Sequence, residues 1–267
     1  MWEFGDELRF QWVMGGLARQ YGPDYRDTES GIGSARGCYA DLMAQWLEVA
    51  AESAMPIDAR LWSRNPIAST YPACQAVKAA GEQGEAASYR YLRRLREGLL
   101  IERKKLDHLE ALVGEAGLAG LDVERFRIDL SSHAITEAFA ADLDEVRNVP
   151  DEARAADQVK RTEGRERVAF PSVVFVGADG TRRGVWGGQQ PYGAYREAAI
   201  AVGAQVVQER RPEPLEALDR FGRCATRELE ELTGKPPPVL GAELWTLARE
   251  WKLQAVAVPG GTMWEKA

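Results

Sequence analysis

Apolar and polar residues alternate over Leu8-Arg9-Phe10-Gln11-Trp12-Val13-Met14, the period of a half-buried strand, and Gly15-Gly16 ends it. The preceding Met1-Trp2-Glu3-Phe4-Gly5-Asp6 has the form of a last helical turn with its glycine stop. After a Gly- and Tyr-rich loop, Leu42, Met43, Trp46, Leu47, Val49 and Ala50 supply one apolar face to a helix near Tyr39 to Ser53. Pro56 and Pro66 bound a loop around Leu61-Trp62. Ser69-Thr70-Tyr71-Pro72 opens another helix, with proline in the first turn, where its missing N–H costs nothing. Helical periodicity then continues to about Val146, with breaks at Gly84 and Gly114–Gly120 and with Asp122 as the N-cap for Val123–Leu130. This middle block is all-α and has no internal repeat.

Residues 151–165 are charged and poor in apolar side chains, which predicts a loop or frayed helix. Strand-formers dominate Val173-Val174-Phe175-Val176 after Pro171, and Gly177-Ala178-Asp179-Gly180 is a hairpin turn in which Asp-Gly supplies positive φ. Thr181–Trp186 returns as a second strand, Gly187-Gly188 turns the chain, and Tyr192–Val202 is helical. Arg210-Arg211-Pro212-Glu213-Pro214 has the composition of a linker. Beyond it Leu215, Leu218, Phe221, Ala225, Leu229 and Leu232 predict one helix, and Leu240, Leu244, Leu247 and Trp251 a second. A terminal hairpin around Pro259-Gly260-Gly261 completes a winged-helix-like module of about 55 residues.

The 267 residues are 45% apolar and 28% charged, the balance of a soluble globular chain, which excludes disorder and collagen-like structure. Length fits one large domain with a small appendage. A net charge of −7 argues against non-specific nucleic-acid binding, and no run approaches the ~20 apolar residues of a membrane span. Neither nucleic acid nor membrane is therefore expected as a partner. The basic cluster Arg90, Arg93, Arg94, Arg96, Arg103, Lys104 and Lys105 contains Glu97 and Glu102, and fits a solvated helix face. The C-terminal module has no Lys- or Arg-rich recognition helix, so packing or docking of a partner is its expected role. Cys38, Cys74 and Cys224 contain no C-x-x-C pair, and with two histidines, His108 and His133, no metal site is expected. Cys74, just inside a helix start, is either a low-pKa thiolate or a small buried hydrophobe.

Proline at the head of a core-like strand is unusual, because it cannot donate to a ladder; a cis Phe170–Pro171 bond is one economical solution. Three stretches carry a resemblance: Val13-Met14-Gly15-Gly16-Leu17-Ala18, Ser69-Thr70-Tyr71-Pro72-Ala73-Cys74-Gln75-Ala76-Val77 and Phe170-Pro171-Ser172-Val173-Val174. In this order and spacing they resemble the signatures of DsbA-like thioredoxin-fold proteins, in the branch described as predicted protein-disulfide isomerases. The resemblance spans about residues 1–205. It implies an α/β thioredoxin-like fold with an inserted α-helical domain, residues 1–16 and 166–205 forming the core and 17–165 the insertion, to which the helix–helix–hairpin pattern adds a C-terminal α+β module over 212–267. It also implies dithiol–disulfide exchange on polypeptide thiols and disulfides, with no cofactor. Phe170, Pro171, Gly15 and Gly16 would hold the substrate chain in extended form.

One departure is severe. The family's first strand and C-x-x-C precede the segment matched by Leu8–Met14, so the expectation is an N-terminally incomplete chain whose catalytic dithiol lies upstream of Met1, most simply through a misplaced start. The chemistry needs that dithiol, one thiolate attacking the substrate disulfide and the second resolving the mixed disulfide. Two alternatives stand beside the oxidoreductase reading: a non-catalytic thioredoxin-fold binding protein, and a glutathione-dependent isomerase or kappa-like glutathione transferase, which would take glutathione. Scarce cysteines suit a reducing cytoplasm.

Overall fold

A computed structural model describes residues 2–27 and 30–267. Residues 2–4 form a turn rather than the last turn of an α-helix, Gly5 at φ 56 takes the expected place of a glycine stop, and a 3-10 turn, Gly5–Glu7, follows; Met1 lies outside the described residues. Residues 8–14 join no sheet, contrary to the expected strand. Their alternation is real, with Arg9 and Gln11 exposed between partly buried Leu8, Phe10 and Trp12. A strand also needs a neighbour, and among the described residues none lies beside this segment. Side chains hold its backbone instead: Phe10 N–H donates to Glu85 Oε1 at 2.5 Å and Met14 N–H to Asp142 Oδ2 at 2.8 Å.

Seven helices follow: α1 (Cys38–Ser53), α2 (Leu61–Arg64), α3 (Tyr71–Gly81), α4 (Glu85–Leu100), α5 (Leu109–Leu118), α6 (Val123–Leu130) and α7 (His133–Arg147). Helices α3–α7 share a core built on Tyr91, Leu106, Leu112 and Phe126, in which the Tyr91 hydroxyl donates to Leu112 O at 3.0 Å, while α1 and α2 pack in a second cluster around Leu42, Leu61 and Trp62. Asp122 caps α6 as expected, accepting from Arg125 N. The break expected over Gly114–Gly120 falls at the end of that stretch. Helix α5 runs through Gly114 and Gly117 because Leu112, Val113 and Ala116 bury the same face, and the chain turns at Gly120, φ 73.

The basic cluster is not a plain solvated face. Arg94 reaches Glu115 at 2.7 Å and Glu102 at 3.2 Å, Lys104 reaches Glu115 at 2.5 Å, and Arg93 grips Glu228 through both terminal nitrogens at 2.9 Å. Carboxylates from other helices, invisible to a linear charge count, turn much of the cluster into internal packing.

Residues 151–168 are likewise more ordered than their composition predicts: α8 (Asp151–Ala155) leads into a hairpin of β1 (Val159–Thr162) and β2 (Arg165–Val168). Glu163 and Gly164 both take positive φ, the two-residue turn that matches strand twist. Strands β3 (Val173–Val176) and β4 (Arg182–Val185) pair antiparallel around the expected turn, with Gly180 at φ 85, and α9 (Tyr192–Ala201) packs on β4. Strand β3 has β4 as its one ladder partner, so its other edge is open among the described residues.

The C-terminal part comprises α10 (Pro214–Phe221), β5 (Cys224–Ala225), α11 (Thr226–Thr233), α12 (Pro237–Arg249), β6 (Leu253–Val258) and β7 (Gly261–Lys266), with sheet order β5-β7-β6. The single helix expected from Leu215 to Leu232 is split at Gly222, φ 75, and the two halves keep helical spacing across the gap by coincidence. Leu218, Leu229, Leu240, Leu244 and Trp264 form its core.

Candidate functional site

The three stretches that carried the resemblance, far apart in sequence, meet at one place. The Gly15 backbone lies under the Phe170 ring so closely that a Cβ there would sit 1.9 Å from Phe170 Cζ. Glycine is required by contact, since no larger residue fits without moving the ring. Gly16 needs glycine for a second reason, its φ of 54, and its far side packs on Tyr71 and Phe139. Tyr71 in turn meets Phe139 edge-on at 5.0 Å. The Ser69-Thr70 pair at the start of α3 fastens the outgoing chain: Thr70 Oγ1 accepts from Ala18 N at 2.9 Å, and Thr70 N–H donates to Ala18 O at 3.0 Å.

The Phe170–Pro171 bond is cis. Ser172 braces the bend, its hydroxyl donating to Ala169 O at 2.6 Å while accepting from Gly187 N at 2.9 Å. Phe170 shares an apolar cluster with Val13, Val168 and Trp186, and the Arg167 guanidinium lies 4.2 Å from its ring centroid. All four expected contact residues, Gly15, Gly16, Phe170 and Pro171, thus fall in one patch.

Cys74 sits beneath that patch but is no thiolate. Burial pushes its thiol up to about 12, and its sulfur accepts a hydrogen bond from the Gly16 backbone. Of its two readings, the buried hydrophobe holds, because the helix start that would favour ionisation is sealed by the 15–18 segment. Burial likewise pushes the Cys224 thiol up to about 12 and raises that of Cys38; all three cysteines are buried and unpaired. His108 and His133 are exposed, and among the described residues no three His, Cys, Asp or Glu side chains are placed to hold a metal.

An ion pair under the site was missed from the sequence. Lys78 Nζ reaches Asp142 Oδ1 at 2.8 Å, Asp142 Oδ2 holds Met14 N–H, and Lys78 also approaches Trp12 O at 3.4 Å. A lone lysine inside the apolar run Ala76-Val77-Lys78-Ala79-Ala80 was the available signal. The pair positions residues 12–14 without a ladder.

A model of the family described as thioredoxin matches residues 10–149, which take in two of the three converging stretches. Among curated relatives, the ClpXP adapter protein SpxH of Halalkalibacterium halodurans is 31% identical over 144 residues, 53% of this chain and 44% of that protein. The chain therefore spans less than half the length of that relative. SpxH of Shouchella clausii is 29% identical over 224 residues, 82% of this chain and 68% of the relative. A solved structure from Nitrosomonas europaea, titled a candidate protein disulfide isomerase, is 17% identical with a TM-score of 0.48, covering 61% of this chain and 72% of that one. No helix of the described residues is long and apolar enough to cross a membrane. On the match over residues 10–149, the chain belongs to the thioredoxin family.

Proposed function

We propose that this protein binds another polypeptide in extended form and acts as an adapter, with residues 8–16 and the Phe170–Val176 stretch forming the binding face. The carrying observation is that two extended segments border the Gly15–Phe170 contact, and neither has a ladder partner on the facing side among the described residues. An open row of backbone donors and acceptors is a template for strand addition, in which main-chain bonds give affinity and side-chain pockets give selectivity. The partly exposed Val174 and Val176 on β3 would meet alternate side chains of the guest. The SpxH relatives are named as adapters, which supports a role in holding a protein partner.

Thiol–disulfide exchange is the second reading, favoured by the Phe170–Pro171 bend over a glycine pair that resembles the substrate-holding face of DsbA-like proteins. The three buried cysteines of this chain do not serve it, their thiols being raised and separate.

The test is amide hydrogen exchange with a reduced, alkylated, unstructured polypeptide as probe. Binding is expected to slow exchange at residues 8–14 and 173–176 while leaving α4–α6 unchanged. Unaltered exchange at saturating probe sinks the adapter reading. Turnover in an insulin-reduction assay by this chain alone would instead select the catalytic one.

A further inference from the structure

Helix α4 presents four arginines, and three are committed. Arg90 Nε donates to Ala119 O at 3.1 Å, Arg93 holds Glu228, and Arg94 is shared among Glu97, Glu102 and Glu115. Arg96 is exposed and makes no hydrogen bond or close ion pair among the described residues, with Glu228 attracting it only at longer range. Its guanidinium lies 5.9 Å from the ring centroid of Trp12, whose ring also lies near those of Phe10 at 6.1 Å and Tyr89 at 6.4 Å. The Trp12 indole N–H is also without an acceptor. Glu228, the carboxylate that attracts Arg96, is itself held by both terminal nitrogens of Arg93.

We infer that Arg96, lying on the face of Trp12, is a recognition point for a carboxylate side chain of the bound polypeptide. The inference rests on the polypeptide-binding reading and names its selectivity. Trp12 precedes Gly15 by three residues in an extended segment, a span of roughly 10 Å. A strand laid along that segment and touching Phe170 would therefore reach Arg96 about three residues away. A planar guanidinium fits a carboxylate with two parallel hydrogen bonds, and the aromatic face keeps it oriented. Arg167, over Phe170, adds positive charge at the other end of the same path. On a chain of net charge −7, a path marked by arginine at both ends favours an acidic guest.

The experiment uses two fluorescent nine-residue peptides with a central valine, one carrying glutamate three residues to either side and the other glutamine. The full chain is expected to bind the glutamate peptide about tenfold more tightly at low salt, with the preference shrinking as salt is added. Arg96→Gln is expected to abolish the preference and Arg96→Lys to keep part of it, charge being retained without the fork. Equal affinity of the two peptides for the native chain overturns the inference while leaving polypeptide binding intact. A preference undiminished in Arg96→Gln overturns it too, as does tight binding of a phosphoserine peptide with none for glutamate. Failure of both peptides to bind removes the underlying reading together with this one.

Discussion

Two of the three small sheets among the described residues differ in how far their strands are paired. In the C-terminal part, β7 is flanked on both sides, by β5 and β6, and the sheet's apolar residues close over Leu229, Leu240 and Leu244. Near the Gly15–Phe170 contact, β3 has one neighbour, and residues 8–14 are extended with none. The first arrangement gives its central strand ladder partners on both sides, with β5 and β6 as its edges. The second draws on side chains, Glu85 and Asp142, for two of its donors and leaves an edge open. Closure serves stability, and an open edge serves binding at some risk of unwanted pairing.

The largest effect expected from this contrast is in the C-terminal part. Leu244 is fully buried, so Leu244→Ala should destabilise the C-terminal part by about 2–5 kcal/mol through lost transfer energy and a residual cavity. Val176 on the open edge is 57% exposed, and Val176→Thr should change stability by less than about 0.5 kcal/mol. Urea unfolding of both variants checks the pair. Comparable losses would mean that the β3 edge is covered after all.

A smaller effect belongs to the glycine contact. Gly15→Ala places a methyl 1.9 Å from Phe170 Cζ, which must displace the ring at a cost of about 1–3 kcal/mol. Phe170→Leu, by shortening that side chain, should recover most of the loss, giving a coupling of opposite sign in a double-mutant cycle. Additive losses would show that Gly15 tolerates a side chain by moving its own backbone, and that the patch is looser than its geometry.

What the sequence disclosed follows from how local each signal is. The Asp179-Gly180 turn, the Asp122 cap and the helix opened by Tyr71-Pro72 depend on near neighbours, and each forms. Gly15, Gly16, Phe170 and Pro171 were legible through the resemblance to DsbA-like proteins, with Pro171 also marked by its place at a strand head, and they converge. The β1–β2 hairpin was hidden because its strands bury little beyond Thr162 and Val168, so charge masked the pattern. Lys78 with Asp142 and Arg93 with Glu228 join residues 64 and 135 positions apart, and no spacing rule reaches that far. The strand predicted over Leu8–Met14 failed because ladder formation depends on a second segment, which periodicity alone cannot supply.

The smallest expected effect compares the two regions through their thiols. Cys74 under Gly16 and Cys224 in β5 are both pushed up to about 12 by burial, whereas an unfolded thiol titrates near 8.5. A raised folded value means that the unfolded chain loses the proton first. Each thiol's contribution is thus fully present below about pH 8.5 and drains away as pH climbs towards 12, by about 1.4 kcal/mol per pH unit at most. Between pH 7 and 8 that loss is negligible, and labelling by iodoacetamide reports local opening alone. Cys74 is sealed by the 15–18 segment, which has no ladder, whereas Cys224 lies in β5, laddered to β7. Cys74 should therefore label roughly tenfold faster than Cys224, measured by peptide mass spectrometry at a series of times. Equal rates, both tracking global unfolding, would show the two regions opening as one cooperative unit despite their different β-pairing.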